Sequence, residues 1–405
     1  MESKQEVAES EKSGVPPLTD SILSTILRHD NKQTSYKIAL LRAINDVVLA
    51  FPDLKNQNLP VAVPLRVLAG FWIAYYWPFV NPAAPIFQGP RATRDGKERN
   101  DLSFRPALSK LRQQWESLLL QATTTGGAAD GFVLSGELRL RRKRDEYSEE
   151  LLAAYTEAIK AISDALLQPI KYAGVGEWQV FEKPRPYKEL AGYAIAIPGT
   201  LPEDRCLVVS PALWETFSAL SLWVEALCIH EWCLFTERVV QGVGVNLNRG
   251  DVYHLLTQHP ESRRPLTWER NRVELLLLEG QEFTCPWSLK KIQGVSARYD
   301  LDHIVPLSVY PINELWNLVP SDPHANSHIK RARLPSPTTI EKAQPHLIAT
   351  YLAYATSMDL GPALSADVTA RFLTDKSGKL DAALIAKHTM LFVKHLGSHR
   401  NLALF

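Results

Sequence analysis

The sequence predicts a mainly α fold with a small α+β insertion, and three observations predict it. Apolar residues recur at helical spacing along much of the chain, as in Leu23, Ile26 and Leu27, then Ile38, Leu41 and Ile44, then Val273, Leu276 and Leu277. Between 176 and 210 the pattern changes. There Val180, Phe181, Tyr193, Ile195, Ile197, Cys206, Val208 and Val209 stand among Pro and Gly, as short strands do. The composition is that of a globular chain, with 45% apolar and 22% charged residues, and 405 residues suffice for about two or three domains.

The elements follow in chain order. Residues 1–17 read as a loose tail rich in Glu, Ser and Lys, with no apolar stretch that would make a signal peptide. A helical pattern runs through 20–45. Residues 61–80 are the best membrane candidate, but Arg66, Pro64 and Pro78 interrupt them, and a buried core helix is the better reading. Within it Trp72, Tyr75, Tyr76 and Trp77 lie at helical spacing beside Leu and Val, which makes them core rather than base-stacking residues. Residues 88–103 and 123–136 are loops by their Gly and small polar content.

The densest basic run follows, Arg139-Leu140-Arg141-Arg142-Lys143-Arg144. It is either a solvated face or a phosphate-contacting patch. Helices are expected at 147–167, at 213–240 as one long or two short pieces, and at 268–278. A helical pattern returns over 339–400, broken at Gly361-Pro362 and Ser377-Gly378. These shifts divide the chain into a tail (1–17), a helical domain (18–175), a mixed α/β linker domain (176–280), a compact segment (281–336) and a C-terminal helical region (337–405).

Charge and cysteine usage exclude whole classes. Lys plus Arg number 45 and Asp plus Glu 44, a net charge of +1, so a polyanion would have to be met by local patches. Four cysteines rule out a disulfide scaffold and suit a reducing cytoplasm, where we expect the chain, away from any membrane. Two apparent motifs fail. His230-Glu231 would need a second His at 234, which is Leu, to bind zinc on one helical face, and Gly242-Val243-Gly244 would need Gly at 247, also Leu, to cradle a dinucleotide. Cys228 and Cys233 are spaced as buried small residues rather than as a CxxC pair.

One segment carries chemistry. Tyr299-Asp300-Leu301-Asp302-His303-Ile304-Val305-Pro306 reads as a strand that ends at an Asp-His pair. A second short strand starts at Asn317. The stretch 323–332 can form a short helix that places Asn326 and Lys330 one turn apart. Carboxylate and amide oxygens are hard ligands suited to Mg²⁺, and a neutral imidazole takes a proton near pH 7. A divalent ion and a general base suffice to hydrolyse a phosphodiester.

The ordered set Asp302-His303, Asn317-Leu318-Val319, Asn326, Lys330 and Leu334-Pro335 closely resembles the HNH (ββα-metal) endonuclease motif over residues 281–336. The resemblance implies a ββα-metal nuclease module near the C-terminus, enclosed by helices. It also implies an endonuclease that uses one Mg²⁺ or Mn²⁺ and leaves 5′-phosphate and 3′-hydroxyl ends. By position His303 is the general base, Asp302 and Asn326 hold the metal, and Asn317 braces the loop and orients His303. Lys330 is a further catalytic candidate and, with Arg331 and Arg333, a candidate for phosphate contact; Arg298, Arg141 and Arg142 are further candidates for nucleic-acid contact.

Two departures from the motif matter. Relatives carry a zinc knuckle of paired CxxC, whereas this chain reads Cys285-Pro286-Trp287-Ser288 and Asp322-Pro323-His324-Ala325, so no structural zinc is expected and Trp287, Trp316, Leu318 and Ile304 must supply support. The third motif residue is Asn326, with one extra residue before Lys330, and the flanking His324 or His328 is the alternative ligand. Residues 33–37, with the helix after them, look like the start of a group of bacterial HNH proteins with a large helical N-terminal region. By analogy with such proteins the expected role is phage defence or restriction, with DNA as substrate. The alternatives are an RNA-cleaving enzyme, or a regulatory subunit of a multi-protein defence complex that keeps the HNH fold and works with a protein partner or a second copy of itself.

Overall fold

The computed structural model of the protein describes residues 19–405 apart from 31, 52–53, 55–57, 90–100, 123–125, 175–179, 242–246, 259–265, 295, 308, 310–312, 373–380 and 401. The tail 1–17, the Gly242–Gly244 pair and the side chains of Arg141 and Arg142 lie outside the described residues.

Helices dominate, as the apolar periodicity demands. In chain order they are α1 (Thr19–Ser24), α2 (Tyr36–Ala50), α3 (Leu65–Tyr76), α4 (Arg105–Gln121), α5 (Asp130–Arg139), α6 (Glu149–Tyr172), α7 (Pro211–Gln241), α8 (Arg249–Thr257), α9 (Thr267–Leu278), α10 (Pro337–Thr356), α11 (Leu360–Arg371) and α12 (Ala382–Arg400). Side-chain caps fix several starts: Ser148 accepts from the Leu151 amide, Ser336 from the Thr339 amide, and Asn248 with Asp251 forms a capping box.

The N-terminal core is aromatic. Trp72 and Tyr76 of α3 meet Tyr36 of α2, Phe104 and Trp232 of α7, with ring centroids 5.2 Å (Tyr36–Trp72), 5.1 Å (Tyr76–Phe104) and 5.0 Å (Tyr76–Trp232) apart. Trp72, Tyr75, Tyr76 and Trp77 are all buried, so no ring of this set is open to a base. Helix α7 is long and apolar enough to cross a membrane, unlike the interrupted 61–80 stretch. Here it kinks at Leu220 and buries Cys228, Trp232 and Cys233 in the same core.

Two expectations are corrected here. Residues 61–80 are not one helix. Val61–Pro64 form strand β1, α3 follows, and Trp77–Val80 close it as a 3₁₀ turn. Pro64 cannot donate within a helix, so the extended segment runs up to it and α3 begins after it. β1 joins a four-stranded sheet of order β2-β4-β1-β3, in which β2 is Arg185–Pro186, β3 Ile195–Ala196 and β4 Arg205–Val209. Val61 faces Ile195 in parallel and Val209 antiparallel. The division expected between 175 and 176 therefore cuts through one sheet.

The loop expected over 123–136 is interrupted by α5. Its Gly131 lets the helix approach α3 closely, since an added Cβ would stand 2.7 Å from the Trp77 Cβ and 2.9 Å from the Ala74 Cα.

The chemistry-bearing segment forms two small antiparallel pairs, β5 (Phe283–Thr284) with β6 (Lys291–Ile292), and β7 (Asp300–His303) with β8 (Leu318–Ser321). A single helical turn, Ala325–Lys330, follows. Helices pack behind it. The Tyr351 and Tyr354 hydroxyls of α10 donate to the carbonyls of Trp316 and Leu318, at 2.5 and 3.1 Å. The last residues return to the segment, with the Leu334 amide on the Ala403 carbonyl and the Phe405 amide on the Leu334 carbonyl, each 3.0 Å.

Candidate active site at the end of a β-hairpin

The β7–β8 register pairs Asp300 with Ser321, Leu301 with Pro320, Asp302 with Val319 and His303 with Leu318. Period-2 alternation puts Asp300 and Asp302 on one face. After His303 the chain must turn, and Asn317 makes it turn. Its backbone carbonyl accepts from the Ile304 amide at 2.8 Å, its side-chain oxygen accepts from the Val305 amide at 2.8 Å, and its amide donates to the Val305 carbonyl at 3.1 Å. Asn317 is wholly buried, so each of these bonds replaces one with water.

Asp302 is buried, and both of its oxygens are engaged. Lys330 donates to Oδ1 at 2.9 Å and the Trp287 indole to Oδ2 at 2.8 Å. Burial pushes the Asp302 carboxyl up from its ordinary range, against the pull of the Lys330 ammonium and the Trp287 hydrogen bond; the charge of Asp300 adds to the rise. Trp287 is held from its other side by the Phe405 ring, edge-on at 5.5 Å. At the expected remnant of a metal knuckle, Cys285 is buried and accepts from the Ser288 amide at 3.4 Å.

Asn326 donates from its amide to Asp300 Oδ2 at 3.0 Å. It lies on a π turn in which the Arg331 amide reaches the Asn326 carbonyl at 2.8 Å. The wider turn takes up the extra residue before Lys330 and brings its ammonium onto Asp302. His324 and His328 are exposed and stack on each other at 4.8 Å, and the His328 ring meets the Ser327 hydroxyl at 2.7 Å.

His303 is only partly buried. Its Nε2 lies 2.8 Å from the side-chain oxygen of Asn313. The turn carrying Asn313 is anchored from three directions. The Leu315 amide donates to Asp367 of α11 at 2.8 Å, the Trp316 indole donates to Glu314 at 2.5 Å, and Arg139 of α5 pairs with the same Glu314.

These positions move several expected roles. Asn317 braces the backbone, whereas the side chain hydrogen-bonded to His303 is Asn313. Lys330 is buried against Asp302 and not placed to meet a phosphate. Arg333 donates to the carbonyls of Ile329, Lys330 and Leu404, so it closes the end of the turn instead of projecting outward. Arg331 and Arg298 are exposed. In the basic run Arg139 pairs with Glu314, Lys143 is buried beside Glu137 and Glu269, and Arg144 donates to the Leu138 carbonyl at 2.7 Å, so these three serve the fold.

Sequence reasoning missed Asp300, Asn313 and the bond from Trp287 to Asp302. Alternation along β7 could have found Asp300. Asn313 left no signal, because a connection of that length does not fix which residue returns to the imidazole.

Among the described residues no cluster of three or more His, Cys, Asp or Glu is arranged for a metal ion. The donor chemistry nevertheless fits a hard divalent cation. Asp300, Asp302 and Asn326 are hard oxygen donors on adjoining elements; both Asp302 oxygens are taken, by the Lys330 ammonium and the Trp287 indole, so a metal ion there would stand in place of that ammonium.

The segment thus carries a strand-borne Asp-His pair, a bracing Asn and an Asn on the helical turn. Residues 285–336 match the family model of the HNH endonucleases, whose members act on nucleic acid and generally use a divalent metal ion. Residues 17–256 match the model of a domain of unknown function (DUF8808), and since that match spans more than half of the sequence, the chain belongs to this family. Comparison with curated proteins and with solved structures gave no match.

Proposed function

We propose that the protein is a divalent-metal-dependent endonuclease that hydrolyses DNA phosphodiester bonds, with His303 as the general base. One arrangement carries this reading: an imidazole at the end of β7, 2.8 Å from the Asn313 side chain, one residue along the strand from the buried Asp302, with Asp300 of the same strand hydrogen-bonded to Asn326. A neutral His303 takes the proton of the attacking water. Asp302 and Asn326, with Asp300, would hold Mg²⁺ or Mn²⁺, which when bound supplies stabilisation of charge on the leaving oxygen. Asn317 keeps the strand end in register with the turn. Arg331 and Arg298 meet backbone phosphates. Arg141 and Arg142 join them in this proposal, because Arg139, two residues earlier, already reaches Glu314 in the module. Defence against foreign DNA is the proposed setting, by analogy with other large HNH proteins.

A second reading, a binding subunit that retains the fold, is favoured by one observation: both Asp302 oxygens are engaged by the protein itself. Plasmid nicking by the purified chain with Mg²⁺ or Mn²⁺, with EDTA and an RNA substrate as controls, separates the readings. His303→Ala should lower cleavage by about 10²–10⁴-fold with the fold retained by circular dichroism, at a cost of about 1–3 kcal/mol for taking the imidazole away from the buried Asn313 side chain. Wild-type cleavage by this variant would overturn His303 as the base. Metal-independent binding of nucleic acid with no cleavage would support the second reading.

A further inference from the structure

We infer that Asn313 is a positioning residue that sets the tautomer and orientation of His303. Nothing in the family match assigns a role to this position, and the inference rests on the nuclease reading for its effect on turnover.

The Asn313 side-chain oxygen lies 2.8 Å from His303 Nε2. An amide oxygen can only accept, so the bond places the imidazole proton on Nε2 and the lone pair of the neutral ring on Nδ1. Asn313 is completely buried, which makes this bond strong relative to one in water and costly to leave unmade.

The geometry also shows why Asn313 stays in place. The next residue, Glu314, is fully buried and held by Arg139 and by the Trp316 indole. The Asn317 amide donates to the Glu314 carbonyl at 2.8 Å, and the Leu315 amide is held by Asp367. The ring of His303 is thus aimed by a turn that two helices distant in sequence, α5 and α11, clamp from outside the strand pair. Residues that fix a catalytic imidazole in this manner act through orientation, not contact with substrate.

The test uses the full chain labelled with ¹⁵N-histidine. The His303 ring signals are identified by their loss in His303→Ala and are read at a pH where the imidazole is neutral. Wild type should show the Nε2–H tautomer. Asn313→Leu, similar in shape but without an acceptor, should lose that preference and lower kcat by about 10- to 100-fold with KM unchanged. Asn313→Asp restores an acceptor oxygen and should restore the tautomer and most of the turnover. Should Asn313→Leu fail to fold by circular dichroism, Asn313→Ser, too short to reach Nε2, carries the same expectation. Retention of the Nε2–H tautomer in Asn313→Leu or Asn313→Ser would overturn the inference. So would equal impairment of the Leu and Asp variants, which would mark a purely packing role. If wild type cleaves no nucleic acid, the nuclease reading fails while the ring signals still decide the role of Asn313.

Discussion

The aromatic core around Trp72 and the polar core around Asp302 are both buried, and they are held by opposite physics. Trp72, Tyr76 and Trp232 are buried mainly among rings and aliphatic side chains, with the Tyr76 hydroxyl on Ser35 and the Trp232 indole on Gln88, so water exclusion supplies most of what holds them. Asp302 and Lys330, at 5% and 2% exposure, lost their hydration on folding, and among the described residues they replace it through each other and Trp287. An apolar core tolerates rearrangement of shape. A buried ion pair tolerates removal of both partners far better than removal of one. The N-terminal region therefore reads as built for stability, and the hairpin module as built to hold a few groups in one arrangement at a cost to stability.

The sharpest way to break this contrast is to shrink the aromatic core. Trp72→Ala should cost about 3–5 kcal/mol in urea unfolding, and it should lower cleavage only in proportion to the fraction unfolded. A larger loss of activity than of folded protein would show that the core also shapes the site.

Lys330→Met should cost up to about 3–5 kcal/mol at neutral pH, because it leaves Asp302 buried and unpaired. The Asp302 carboxyl is already raised above its ordinary range, and loss of Lys330 raises it further. A raised folded-state pKa gives stability that is present at low pH and lost as pH rises through that pKa. The variant should therefore regain stability on mild acidification, and the double variant Asp302→Asn/Lys330→Met should recover most of it at neutral pH. A pH-independent deficit would mean that Lys330 acts through packing.

Arg139→Ala should cost about 1.5–3 kcal/mol, since the fully buried Glu314 loses the Arg139 guanidinium. It should also lower cleavage, because the turn carrying Asn313 is anchored there. A thermal melt together with the nicking assay checks both, and unchanged values would remove the link between the N-terminal region and the module. The smallest expected effect is on Mn²⁺ titration. Asn326→Ala and Asp300→Ala should each weaken binding by about 10-fold, whereas His324→Ala, on the exposed side of the turn, should leave it unchanged. The reverse ranking would transfer the ligand role to the histidines.

Much of the architecture was legible because apolar periodicity is a local signal. The strand ending at His303, the strand after Asn317 and the helix at 268–278 were read from the residues alone and lie where expected. The helix expected over 61–80 was not, since an apolar run of that kind suits a buried strand and a buried helix equally until partner strands at 195–196 and 205–209 are known. In the site, the residue types and their order were legible, but the hydrogen-bond partners were not. Lys330 and Arg333 both looked like phosphate contacts, and only packing shows that one meets Asp302 and the other meets carbonyls.

By itself the sequence determined which chemical groups this protein has and where they lie along the chain: an Asp-His pair at a strand end, two amides downstream, and long amphipathic helices on either side. Those follow from residue identity and short-range backbone preference. Tertiary structure decided which groups touch: that Asn313 and not Asn317 holds the imidazole, that Lys330 neutralises Asp302, and that Arg139 of a distant helix anchors the turn beside them. Such contacts depend on where water has been excluded, and that is a property of the packed molecule rather than of any segment of it.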